Sequence, residues 1–112
     1  MSQQVNELLK HYTAEMQTIY GQHLKSVILY GSYARGDFKE NSDIDIMILV
    51  DSTDEEITKK SHTVSDITFN YNFDYDLKIM PIVKNQEHFN RWLRAYPFYY
   101  NIKKEGIELY AS

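Results

Sequence analysis

Apolar residues near the start of the chain recur at spacings of three, four and seven. Val5, Leu8, Leu9, Tyr12, Met16, Ile19 and Tyr20 form one stripe, which predicts an amphipathic helix over 4–21, stopping near Gly21. Leu24 to Tyr30 is short, ends in an apolar β-prone run and is bounded by Gly31-Ser32, so it reads as a strand. Ile44 to Val50 is apolar on both faces apart from Asp45, the pattern of a strand covered on both sides. Residues 53–70 open on Thr53-Asp54-Glu55-Glu56, an N-cap with acids suited to a helix N-terminus, and continue with Ile57, Val64 and Ile67 among polar residues. Phe73 to Val83 alternates in part and carries Pro81, which a strand end or edge accepts, so a strand is predicted there. Glu87 to Tyr96 puts Phe89, Trp92, Leu93 and Tyr96 on one helical face, and Pro97 can open a further turn toward Gly106. The order α-β-loop-β-α-β-α-α predicts an α/β or α+β fold, a mixed sheet flanked by helices.

Composition narrows the function classes. The chain has 112 residues, 43% hydrophobic and 14% aromatic, as expected of one domain spanning 1–112. At that size a fold buries about 60–70% of its unfolded surface, enough for one core. Twelve Lys and Arg against sixteen Asp and Glu give a net charge of −4, which argues against direct nucleic-acid binding along a broad basic surface. The absence of cysteine removes disulfides, thiol catalysis and Cys-type zinc sites. No stretch approaches the roughly 20 apolar residues of a membrane helix, and Met1-Ser-Gln-Gln-Val-Asn-Glu has no signal-peptide character, so a cytoplasmic protein without membrane contact is expected.

The chemistry concentrates between Gly31 and Asp45. Gly31-Ser32 follows a strand, where a missing side chain admits a ligand close to the backbone and a hydroxyl can bond phosphate oxygens; the same pair also suits an ordinary turn. Asp43 and Asp45, two apart, point to one face about 6.6 Å apart along the backbone. Two carboxylates at the mouth of an apolar strand need a positive charge between them, and oxygen ligands of this kind suit Mg²⁺ or Mn²⁺; capping a turn and a strand end is the plainer use of the same residues. A phosphoryl-transfer site holding two ions about 3.5–4 Å apart needs a further ligand. Asp76, which enters the apolar run Leu77 to Val83, is preferred as that third carboxylate, with Asp74 as the alternative.

Gly-Ser, Ala-Arg-Gly and Ser-Asp-Ile-Asp after a strand, with a later aspartate, resemble the nucleotidyltransferase superfamily related to DNA polymerase β. The resemblance covers Leu24 to Val83, and the segment from Pro97 to Ile107 is similar to a bacterial subset of minimal nucleotidyltransferases. It implies that Gly31 and Ser32 hold the triphosphate of ATP. It further implies that Asp43 and Asp45 bind two Mg²⁺, and that Asp76 binds the catalytic ion and helps orient or deprotonate the acceptor hydroxyl. Arg35 matches a frequent family position, reaching a phosphate or pairing with Asp37 or Asp43; Ser42 reads as structural. In the minimal family the resemblance implies an antitoxin that transfers AMP to a tyrosine of a HEPN-type ribonuclease toxin, and hence a hetero-oligomer with that partner. The alternatives are a nucleotide-binding antitoxin or regulatory subunit acting by contact, and transfer to a small hydroxylated molecule such as an aminoglycoside. Tyr96, Phe98, Tyr99, Tyr100 and Tyr110 are expected mainly in the core beneath a terminal helix.

Overall fold

The computed structural model describes residues 1–112. Ser2 caps the first helix, α1 (Gln3–Tyr20), by accepting a hydrogen bond from the Val5 amide, and Gly21 with positive φ ends it. A short 3₁₀ turn leads into β1 (Leu24–Tyr30), followed by a single helical turn, α2 (Ser32–Arg35), and by β2 (Ile44–Val50). Next come α3 (Asp54–Tyr75), β3 (Ile79–Asn85), α4 (Gln86–Arg91), α5 (Pro97–Glu105) and β4 (Ile107–Ala111). The four strands form one sheet in the order β3-β2-β1-β4. β1 is antiparallel to both β2 and β4, while β2 and β3 run parallel. That parallel pair needs a crossover, which α3 supplies.

Strand alternation sorts the core into two halves. Val27, Leu29, Ile44, Ile46, Ile48 and Val50 join Leu9, Tyr12, Met16 and Tyr20 of α1 and Val64 of α3 on one side of the sheet. Ile28, Met47 and Leu49 point the other way, onto Phe89 of α4 and Tyr99 and Ile102 of α5. β2 is therefore covered on both faces, as its apolar run predicts. Pro81 sits in β3, an edge strand, where the missing N–H breaks no inner ladder.

The expected strand over 73–83 is shorter than predicted. α3 begins at a capping box, with Thr53 and Glu56 each bonding the other's backbone, and runs on through Tyr75. Tyr71 in its last turns meets Tyr12 edge-on, with ring centroids 5.4 Å apart. Phe69 and Phe73, four apart, stack on its exposed side. Asn72 then fixes where the strand starts: its carboxamide oxygen accepts from the Ile79 amide at 2.8 Å and its nitrogen donates to the Ile79 carbonyl at 3.1 Å. Replacing it with Ala leaves both strand groups without that partner. Asn72→Ala is expected to cost about 1–3 kcal/mol, read as a lower denaturant midpoint at an unchanged slope.

Two further expectations change at the C-terminal end. The helix predicted over 87–96 ends at Arg91, and a strand beyond the predicted elements, β4, adds the fourth member of the sheet beside β1. Of the late aromatics Tyr99 is buried and Tyr110 half-buried, whereas Tyr96, Phe98 and Tyr100 are exposed. The short loop between α4 and α5 turns the first of these outward, where Tyr96 stacks on Trp92.

Candidate active site

The C-terminal end of β1 and the N-terminal ends of β2, β3 and β4 meet at one end of the sheet. Gly31 leaves β1 with φ 75° and ψ −154°, a conformation that suits glycine, and turns the chain directly into α2. A Cβ here would collide with the Asp45 Oδ2 atom, so the close approach of that carboxylate to the turn also requires glycine. Gly36, with φ 85°, ends α2 in the left-handed region and releases the loop to Asp43. Tyr33 stacks on Phe38, ring centroids 4.3 Å apart, and the Lys39 amide donates to the Ser42 hydroxyl at 2.8 Å; the loop is thus held at both ends.

Asp45 is half-buried and stands opposite Tyr30 across the β1–β2 pair. Burial pushes its pKa up, the negative charge of Asp43 pushes it up further, and the Arg35 guanidinium opposes both. The two aspartates therefore share one electrostatic site, with Asp43 exposed at its edge. Burial and then the charge of Asp45 raise the Tyr30 phenol to about 12, so it stays protonated and available as a donor at neutral pH. Arg35 pairs with Asp37 at 3.3 Å and with Glu105 of α5 at 3.6 Å, tying the turn to the loop and to the helix end. Both pairs are exposed and contribute little to stability, which leaves the guanidinium free to exchange partners. Beside this turn Tyr30, Gly31, Arg35, Phe98, Asn101, Ile102 and Glu105 line an open groove of about 200 Å³. A larger hollow of about 380 Å³ lies at the far end of β3 among Asp54, Lys84, Asn85 and His88, without the glycine turn or a carboxylate pair.

Gly31, Ser32, Arg35, Asp43 and Asp45 thus come together, but the two candidates for a third carboxylate do not join them. Asp74 lies in the last turn of α3, and Asp76 is its C-cap, with φ 53° and ψ 48°. Asp76 lines a cleft with Tyr33, Ser42, Ile44 and Lys78 at the entry to β2 and β3. No three Asp, Glu or His side chains are grouped as a metal-binding set would be. The residue paired with Asp45 on β3 is Met80. Tyr30 and Glu105 are parts of the site that the motif reading missed. Tyr30 directly precedes Gly31 and could have been found from strand register, whereas Glu105 reaches Arg35 only through the fold.

A divalent cation fits the Asp43–Asp45 pair on the chemistry of its donors: two carboxylates share a partly desolvated site, and their mutual repulsion is a cost a cation would offset.

Most of this chain is similar to known proteins. Residues 9–108 match the nucleotidyltransferase domain family. A relative from Methanocaldococcus jannaschii with the provisional name protein adenylyltransferase is 34% identical over 110 residues, covering 91% of this chain and 94% of its own. A second from the same organism, with the same provisional name, is 38% identical over 80 residues, covering 71% and 79%. Among solved structures, a provisionally assigned nucleotidyltransferase from Sulfolobus solfataricus superposes with a TM-score of 0.65 at 20% identity, covering 95% of this chain and 79% of that one. A chain of a toxin–antitoxin structure with AMP-PNP superposes with a TM-score of 0.58 at 19% identity, covering 92% and 73%. The match over most of its length and the two relatives show that this chain belongs to the nucleotidyltransferase domain family.

Proposed function

We propose that the protein transfers AMP from ATP to a hydroxyl of a partner protein. The observation that carries this reading is the half-buried Asp45 packed against the Gly31 turn, with Asp43 beside it. The acceptor hydroxyl oxygen attacks the α-phosphorus and releases its proton to solvent, the bond from the α-phosphorus to the oxygen bridging to the β-phosphate breaks, and pyrophosphate leaves. Mg²⁺ held by Asp43 and Asp45 would supply the positive charge that stabilises the attacking and leaving oxygens. The side-chain-free Gly31 lets the triphosphate approach the backbone, the Ser32 hydroxyl donates to a phosphate oxygen, and Arg35 exchanges Asp37 for a phosphate. The net charge of −4 is compatible with an anionic substrate because the bound cation supplies the local attraction.

The names of the relatives favour a protein acceptor, and the toxin–antitoxin neighbour favours a toxin as that protein. In the finer form of the reading the acceptor is a tyrosine of a HEPN-type ribonuclease and the reaction takes place in the cytoplasm, where ATP is supplied. No helix is long and apolar enough to cross a membrane. One observation favours a second reading, in which the chain binds nucleotide and silences its partner by contact: β3 offers no acid beside Asp45.

Incubation with labelled ATP, Mg²⁺ and the product of the neighbouring gene distinguishes the two. Transfer predicts a labelled partner, with label lost in Asp43→Ala and in Asp45→Ala. Inhibition of the partner that survives both changes without label contradicts it. Asp76→Asn is expected to keep most of the labelling, since Asp76 caps α3 and is not grouped with Asp43 and Asp45; a loss comparable to that of Asp45→Ala would return Asp76 to the site.

A further inference from the structure

Two exposed aromatic patches of opposite charge lie on opposite sides of the sheet. α3 packs on one side through Val64, while α4 and α5 pack on the other through Phe89, Tyr99 and Ile102. Toward solvent α3 presents Phe69 and Phe73, 66% and 77% exposed and stacked on each other. Between Ser61 and Leu77 the chain has three acids, Asp66, Asp74 and Asp76, and no Lys or Arg. The other patch is a ridge: Trp92 stacks on Tyr96, Tyr100 follows one helical turn later, and the Lys104 ammonium lies over the Tyr100 ring, 6.0 Å from its centroid. Between His88 and Lys104 the chain has four bases, Arg91, Arg94, Lys103 and Lys104, and no Asp or Glu. Arg94, Lys103 and Lys104 on the ridge, and Asp74 and Asp76 at the end of α3, take no part in an ion pair within the chain.

Stacked aromatics left in water on both sides of a small protein are surfaces suited to covering by another molecule. The charges around them decide which. Two α3 faces brought together would set acid against acid, and two α4–α5 ridges base against base, juxtapositions that cost free energy. An α3 face laid on an α4–α5 ridge joins aromatic to aromatic and puts unpaired acids opposite unpaired bases. One chain cannot make this contact with itself, because its two faces are separated by the sheet.

We propose that a second copy of this chain docks head to tail on the first, its α3 face (Phe69, Phe73, Asp74) on the α4–α5 ridge (Trp92, Tyr100, Lys104). Each added copy brings one face of each kind, so the contact builds an open chain or a closed ring rather than a two-fold dimer. Neither face includes Gly31, Asp43 or Asp45, so the contact can be measured without catalysis.

Sedimentation velocity at rising protein concentration reads the contact. The unaltered protein is expected to grow in mass with concentration at low salt and to return toward the monomer at high salt, where the charges are screened. Phe69→Ser with Phe73→Ser, and separately Trp92→Ser with Tyr100→Ser, each remove one face and are expected to stay monomeric while folded by circular dichroism. Mixed in equal amounts, these two variants are expected to form a one-to-one dimer that grows no further, since each keeps the face the other lacks. Asp74→Lys and Lys104→Glu, which leave the aromatics in place, are each expected to weaken assembly at low salt. An unaltered protein that stays monomeric at every concentration overturns the proposal. A dimer that persists in either serine variant alone overturns it in favour of a symmetric contact. A mixture that stays monomeric, or assembly that is unchanged in both charge variants, also overturns it.

Discussion

Asp45→Asn is expected to reduce nucleotidyl transfer by about 10²–10³-fold or more, the scale of losing one group that stabilises developing charge, while the protein stays folded. The substitution keeps the shape of the side chain that fills the space beside Gly31 and removes the charge that would hold a cation. Stability should not fall with it. Burial and Asp43 raise the pKa of Asp45 in the folded protein above its ordinary value of 3.8. The folded state therefore binds that proton more tightly than the unfolded chain, and the stability this group contributes is lost as pH rises from 3.8 through the raised value. At pH 7 the ionised carboxylate is a cost in the ion-free protein, and the neutral amide relieves it. Thermal melts without divalent ions should give Asp45→Asn a midpoint equal to or above that of the unaltered protein, alongside the loss of labelling. A variant that loses activity and unfolds together would make Asp45 a structural residue.

Gly31→Ala is expected to weaken both the fold and the site. With φ 75° the backbone lies where an L-residue is strained, at a cost of about 1–3 kcal/mol, and the added methyl meets the Asp45 carboxylate. One of two things must shift. If the carboxylate moves, the pair loses its spacing; if the turn moves, Ser32 and Arg35 leave the phosphate path. A displacement of about 1 Å costs about 10²-fold in rate, so transfer should fall by at least that much, with a lower melting midpoint and weaker ATP binding. Ala at Gly36 tests the position dependence, because that glycine also has positive φ but has nothing within 4 Å of the added carbon. Gly36→Ala should carry the backbone cost with a smaller loss of transfer.

How much of this was readable in the sequence depended on how local each signal was. β1 and β2 lie where their apolar runs place them, because Gly31 and the Ser42-Asp43 entry punctuate those runs sharply. The Gly31-Ser32 turn and the Asp43–Asp45 pair were legible for the same reason: each is a short motif tied to a strand end. Residues 73–76 were misleading, since Phe73 and Tyr75 alternate with aspartates as in a strand. The i,i+4 stacking of Phe69 on Phe73 and the Tyr71 contact with Tyr12 extend the helix, and Asn72 delays the strand to Ile79. That shift by a few residues is what removes Asp74 and Asp76 from the sheet and brings Lys78 and Met80 to its edge. β4 had no local signature because its partner, β1, lies at the other end of the sequence, and the Arg35–Glu105 pair was out of reach for the same reason.

The chain is expected to break ATP between its α- and β-phosphates and to hand on the AMP. Parallel reactions with α-labelled and γ-labelled ATP, Mg²⁺ and the neighbouring gene's protein test it most directly, with the label followed on the partner. Only the α-label is expected on the partner, matched by release of pyrophosphate and abolished by Asp45→Asn. Label from the γ-position, or a partner silenced with neither label, would contradict it.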